Sequence, residues 1–162
     1  MTTPKSYPAC VIPDPMSLEP RLSSAYPAKY QIPEGKRAKR VLGDRVGLTN
    51  FGVNLTTLAP GGWSAHRHWH AKQDEFIYVV EGELTLITDA GETVLKPGMA
   101  AGFKAGVADG HHLVNKSDRP ASYLEIGDRT PGETADYPDI DMKVAAGPDG
   151  KMRFTDKKGN PF

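Results

Sequence analysis

Cysteine is nearly absent from this chain. Cys10 stands alone in 162 residues, so no intramolecular disulfide can staple the fold, which fits a reducing compartment. Charge of one sign is lacking too. Twenty Lys and Arg balance twenty Asp and Glu, and a neutral chain has no electrostatic hold on nucleic acid or an anionic membrane. No apolar run approaches the about 18 residues that a membrane-spanning helix needs. The opening MTTPKSYPACVIPDP is broken by prolines and has no apolar h-region, which argues against a secretory signal. These absences imply a cytoplasmic protein with neither a membrane nor a nucleic-acid partner. Amphipathic helical patterns of ten or more residues are also missing, and with them any helix-turn-helix.

What remains is β structure, in a chain long enough for one core-bearing domain. Seven of the 14 prolines fall at or before Pro33. Residues 1–38 therefore read as an extended arm with few internal hydrogen bonds. Val11, Ile12, Met16, Leu18 and Leu22 would let it dock on its own domain or on a second subunit. The basic run Lys36-Arg-Ala-Lys-Arg40 lacks interleaved aromatics and reads as the solvated start of a strand. Residues 39–128 hold short runs of strand character between Gly- and Pro-rich turns: Phe51–Thr57, Trp63–His70, Glu75–Val80, Leu84–Thr88, Thr93–Leu95, Met99–Phe103, His111–Asn115 and Ala121–Ile126. Such spacing indicates an all-β sandwich or barrel. Residues 129–162 form a polar tail, with an edge strand or short helix at Ile140–Ala146 and a small hairpin around Asp149-Gly150.

The five histidines fall in two tight clusters, His66-Arg-His68-Trp-His70 and His111-His112. Residues at i, i+2 and i+4 share one face of a strand. Three imidazoles would then line one side, with Arg67 and Trp69 on the other and Glu75 close by. That arrangement suits a divalent metal better than it suits packing. The same parity puts His111 with Leu113 and Asn115, whereas His112, the alternative ligand, points with Val114.

Gly62, five residues, His68, one residue, His70, four residues, Glu75, six residues and Gly82 match the first motif of the cupin superfamily. Gly98, Gly106, His111 and Asn115 resemble its second motif. Lys104 replaces the usual proline there, and the interval from Gly106 to His111 is longer by two residues. Over about residues 40–127 the resemblance implies a single jelly-roll β-barrel (a double-stranded β-helix), flanked by the N-terminal arm and the C-terminal tail. It also implies homodimers, with His68, His70, Glu75 and His111 as metal ligands. The tail, with Met152-Arg-Phe-Thr155 and Gly159-Asn-Pro-Phe162, is similar to that of small bacterial cupins mostly without an assigned activity.

Three neutral imidazoles and one carboxylate around a +2 ion leave a local charge of about +1, which favours an anionic or enolizable small-molecule ligand. Such donors suit Mn, Fe, Ni, Co or Zn. Two functions fit: a small-molecule metalloenzyme of dioxygenase or isomerase/lyase type, or a non-catalytic metal-dependent sensor or store. Catalysis needs a separate acid or base, for which His66, Tyr78, Asp109 and Glu83 are the nearby candidates. Asp109 reads first as a turn residue and second as an acceptor orienting a ligand imidazole. Trp63, Tyr78, Phe103 and Tyr123 read as core or dimer surface.

Overall fold

The computed structural model describes residues 7–147 and 149–162. In chain order its elements are β1 (Arg37–Val41), α1 (Leu42–Arg45), β2 (Phe51–Leu58), β3 (Trp69–His70), β4 (Glu75–Glu81) and β5 (Leu84–Thr88). There follow β6 (Gly91–Leu95), β7 (Ala100–Phe103), β8 (His112–Val114), β9 (Ala121–Asp128), β10 (Thr134–Tyr137), β11 (Met142–Ala146) and β12 (Met152–Thr155). One sheet has the order β1-β2-β9-β4-β7, a second β6-β5-β8 and a third β12-β11-β10-β3. Strand neighbours are antiparallel throughout. This is the all-β jelly roll that strand spacing and motif implied.

Alternation decides which side of each strand is buried. In β4, Ile77 and Val79 are inside, whereas Phe76, Tyr78 and Val80 are exposed on the outer face. The inward residues meet Leu58, Leu84, Leu86, Leu95 and Leu113 in the main core. Each fully buried aliphatic side chain there contributes about 1.5–3 kcal/mol. Two motif glycines permit close backbone approach. A Cβ on Gly82 would lie 2.7 Å from the Ala121 Cα, and its φ of 75° is left-handed. A Cβ on Gly62 would collide with the Lys36 carbonyl. Among the described residues no helix is long and apolar enough to cross a membrane.

The N-terminal segment is less extended than its prolines imply. It makes 3-10 turns at Pro15–Ser17 and Ala28–Tyr30, because proline presets the φ of a turn's first residue. Arg21 then forms a two-hydrogen-bond bridge to Lys39 of β1 (2.8 and 3.0 Å). Of its apolar residues, Val11, Met16 and Leu22 are exposed and Ile12 and Leu18 are half-buried. Tyr26 and Tyr30 pack instead on a second core of Ala135, Tyr137, Met142 and Val144.

The tail is also more ordered than its polarity suggests. β10 was not legible as a strand, since its two buried residues, Ala135 and Tyr137, alternate with Thr134 and Asp136 between prolines. It pairs with β3, setting Ala135 opposite His70. Met142–Ala146 is a strand, and it forms a hairpin with β12. The expected continuous strand over 63–70 is correspondingly broken. Trp63 bridges Val114, His68 bridges His111, and only Trp69–His70 joins the β10 sheet. The segment bends at residues 64–67 because five chain steps, from Trp63 to His68, oppose three on the partner, from Val114 to His111; it changes sheet only after His68.

Candidate metal centre

The break in that segment determines which histidines converge. His68 is held against His111 by a two-hydrogen-bond bridge, 3.2 and 2.9 Å. His70 lies in β3, and Glu75 opens β4. Together they bring the His68 and His70 Nε2 atoms to 3.1 Å. His111 Nε2 is 3.1 Å from Glu75 Oε2, and His70 Nε2 is 3.5 Å from the same oxygen. One ligand atom each from His68, His70 and Glu75 lie within 4.8 Å of one another; His111 joins the group through Glu75. Ring packing sets the imidazole planes: Phe103 stacks on His111 with centroids 3.6 Å apart, and Tyr137 on His68 at 5.5 Å.

The far nitrogen of each ring faces an oxygen. His68 Nδ1 is 2.8 Å from the His66 carbonyl, and His111 Nδ1 is 3.4 Å from that of Asp109. A carbonyl can only accept, so Nδ1 of His68 and of His111 donates; Nε2 of His111 then meets the Glu75 carboxylate either through a second ring proton or through a cation held between them. His70 Nδ1 lies 3.6 Å from Glu133 Oε1. The Glu133 carboxylate is buried and accepts from the Ala71 and Lys72 backbone N–H groups at 2.9 and 3.0 Å.

Electrostatics agree with this arrangement. Burial drives the His68 pKa down to about 4, with Glu75 opposing and the other two imidazoles adding. Burial pushes the Glu75 carboxyl up, but hydrogen bonds from His111 and His70 outweigh it and hold it well below the carboxylate range. His70 is raised: burial disfavours its cation, and Glu75 and Glu133 more than offset that. Facing nitrogens around a carboxylate need a shared proton or cation. The donor set therefore fits a divalent ion.

The other histidines and the acid–base candidates stand outside the cluster itself, although His112 lines the adjoining cavity. His66 does not continue the imidazole row. Its Nε2 is 2.8 Å from the Tyr30 carbonyl, and its ring packs edge-on against Tyr26 and Tyr30. His112 bonds to the Ala65 carbonyl through Nδ1 at 3.0 Å. Tyr78 faces outward on β4, and Glu83 is exposed in the turn after it. The Asp109 carboxylate accepts from Asp89 N at 2.8 Å, while its carbonyl, not its side chain, faces His111. Arg67, on the opposite side of the segment from the ligands, donates to Asp139 (2.7 and 2.6 Å), Asp89 and the Gly110 carbonyl. It ties the lengthened loop before His111 to the β5–β6 hairpin and the tail.

A cavity of about 450 Å³ opens beside the cluster, and its polar wall escaped sequence reasoning. Within the basic run, Arg37 and Lys39 face inward. Lys36 instead donates to the Pro60 carbonyl, and Arg40 to that of Leu18. The solvated reading of the run is thus wrong for its two inward members. Lys39 Nζ pairs with Glu125 Oε1 at 2.6 Å, Asn54 donates to the same oxygen at 3.2 Å, and the Tyr123 hydroxyl is 3.5 Å from Oε2. Burial, then Glu125 and Glu75, hold the Tyr123 hydroxyl well above its usual pKa, so it stays a donor. Glu125 is the diagonal neighbour of Glu75 across the β4–β9 register, which places their Cα atoms roughly 7–8 Å apart. Strict period-two alternation from Ala121 was the available signal.

The family model described as a cupin domain matches residues 54–127. A crystal structure of a sugar phosphate isomerase from Silicibacter pomeroyi, itself described as of a cupin superfamily, is 46% identical. That match covers 92% of this chain and 94% of the other, with a TM-score of 0.84. A structure from Acidithiobacillus ferrooxidans, with a provisional name of the same kind, is 28% identical over 78% of this chain and 80% of the other (TM-score 0.70). A polyketide cyclase from Streptomyces resistomycificus, 20% identical over 71% and 76% of the two chains (TM-score 0.58), shares the fold alone. Among curated proteins none matches the chain. Motif spacing, barrel topology and these likenesses together make the chain a member of the cupin superfamily.

Proposed function

We propose that the protein is a metal-dependent isomerase of a small phosphorylated sugar, with His68, His70, Glu75 and His111 holding a divalent transition metal. The observation that carries this reading is the Lys39–Glu125 pair in the same cavity as the His/Glu cluster. A store or sensor has no need of a carboxylate beside its ligand, whereas isomerisation needs one to move a proton between adjacent carbons. The 46% identical sugar phosphate isomerase supports the substrate class. When bound, the metal supplies a Lewis acid for a carbonyl or hydroxyl oxygen.

Glu125 takes the proton from the carbon next to the carbonyl and returns it to the former carbonyl carbon. A second proton passes between the two oxygens, so nothing is gained or lost overall. Lys39 and Asn54 hold the carboxylate in place, and the Tyr123 hydroxyl donates beside it. The exposed Phe76, Tyr78 and Val80 of β4 offer an apolar outer face for a homodimer.

Proton NMR in D₂O tests the reading. Metal-loaded protein incubated with a panel of aldose and ketose phosphates should catalyse isomerisation and wash in deuterium at the carbon next to the carbonyl. Glu125→Gln should lower the rate roughly 10²–10⁴-fold with metal content unchanged. No isomerisation across the panel would reject the function; full activity in the variant would reject the base.

A further inference from the structure

Two arginines of the cavity have no counter-ion. Arg37 is only 8% exposed, and neither it nor Arg21 forms an ion pair among the described residues. Arg37 Nη1 donates to the Ser64 carbonyl at 2.6 Å and Nη2 to that of Ser23 at 3.5 Å. Its Nε is buried without a partner. Of the five N–H donors of a guanidinium, two engage carbonyls and one is enclosed, which leaves two on the Nη atoms. Pinning two carbonyls does not require a charge, and a neutral donor would do it without the desolvation penalty of a buried cation. Lys39 is the contrast, since it lines the same cavity and is matched by Glu125.

Register explains how Arg21 comes to the same place. It bridges Lys39 in antiparallel fashion, and directly opposed residues share a face. Arg21, Arg37 and Lys39 all line the cavity that holds the His/Glu cluster. The same three line a second cavity of about 450 Å³ bounded by Ser23, Ser24 and Tyr26 of the N-terminal segment. Unmatched guanidinium forks at the join of two cavities suit an oxyanion, because such forks bind phosphate through paired N–H bonds.

We propose that Arg21 and Arg37 form an oxyanion subsite that receives the phosphate of the substrate, with the sugar extending from there toward the His/Glu cluster. The choice of phosphate rests on the isomerase reading; the subsite itself rests on the two unmatched arginines. The N-terminal segment, besides packing on the second core through Tyr26 and Tyr30, is then part of the site.

Inorganic phosphate titrated calorimetrically into His70→Ala protein tests the subsite without a competing metal, against potassium chloride at equal ionic strength. Phosphate should bind, and at least about tenfold more weakly in Arg21→Met and Arg37→Gln. Arg21 is exposed, so its variant keeps the question open to test should Arg37→Gln fail to fold. Methyl phosphate should bind like phosphate, and malonate more weakly; the reverse order would overturn the phosphate assignment. No phosphate binding, or equal affinity in parent and variants, would overturn the subsite. Turnover is scored separately. Phosphate binding without isomerisation sinks the isomerase reading alone, and isomerisation without phosphate binding sinks the subsite alone.

Discussion

Glu133→Gln is the sharpest probe of how the His/Glu cluster is held. The carboxylate is 3% exposed, accepts from Ala71 N and Lys72 N through separate oxygens, and faces His70 Nδ1. The amide of glutamine can accept only one of the two N–H bonds and turns its own N–H₂ toward the other donor. Ala71 N keeps its bond to the Thr134 carbonyl, but one charge-assisted hydrogen bond is lost and the buried glutamine N–H₂ faces an N–H, at a cost of about 2–3 kcal/mol. For a domain of this size that is a fall in Tm of about 4–12 °C. The same change removes the negative charge facing the far nitrogen of His70. Losing such an outer partner typically weakens metal binding about 10–100-fold. Differential scanning calorimetry of metal-free protein and competition with a chelator of known affinity measure the two effects separately. A variant with the lower Tm but wild-type metal affinity would show that Glu133 only pins the 71–72 turn. Neither effect would refute the hydrogen bonds themselves.

Three further outcomes follow from the same geometry. His70→Ala should abolish stoichiometric metal in elemental analysis while His112→Ala retains it; equal loss in both would remove His70 from its special place. Gly82→Ala should lower stability by about 2–4 kcal/mol in urea unfolding, from left-handed strain plus collision with Ala121, and an unchanged midpoint would contradict the packing described. Chelation should remove the ligand linkage RT ln(1 + [L]/Kd) from wild-type stability, about 4 kcal/mol at a thousandfold excess over Kd, and so lower its Tm by about 8–16 °C. It should leave the Tm of His70→Ala unmoved, and equal shifts in both proteins would place the metal elsewhere.

The centre of the site was legible because its information is local. Two histidines, a glutamate and a glycine at fixed spacing lie within about twenty residues of sequence, and parity on a short strand separates His111 from His112. The residues that surround the centre were hidden for different reasons. Arg37 and Lys39 sit in a run of charges whose alternate members, Lys36 and Arg40, bond to carbonyls away from the cavity, so only the register of β1 against β2 separates them. Glu125 interrupts an otherwise apolar face of β9, where period-two reading names the face but not the cavity it borders. Glu133 is 63 positions from His70 and lies in a segment rich in prolines and polar groups; nothing short of the β3–β10 pairing brings the two together. His66 shows the opposite failure. Its spacing was right for the row, but it sits in the bend at 64–67, where the chain has two residues more than the stretch it bridges.

The β3–β10 pairing also sets when the site can form. His70 needs a strand from near position 135, and Tyr26 and Tyr30 pack against Phe154 and Phe162, which lie more than a hundred residues further on. Tyr26 and Tyr30 find His66 as an early partner, but their contacts with Tyr137, Phe154 and Phe162 wait for a much later part of the chain. Long-range closure of this kind is slow and leaves apolar surface open in the interval. If the His/Glu cluster holds a metal, its uptake during refolding would time the docking of β10 on β3.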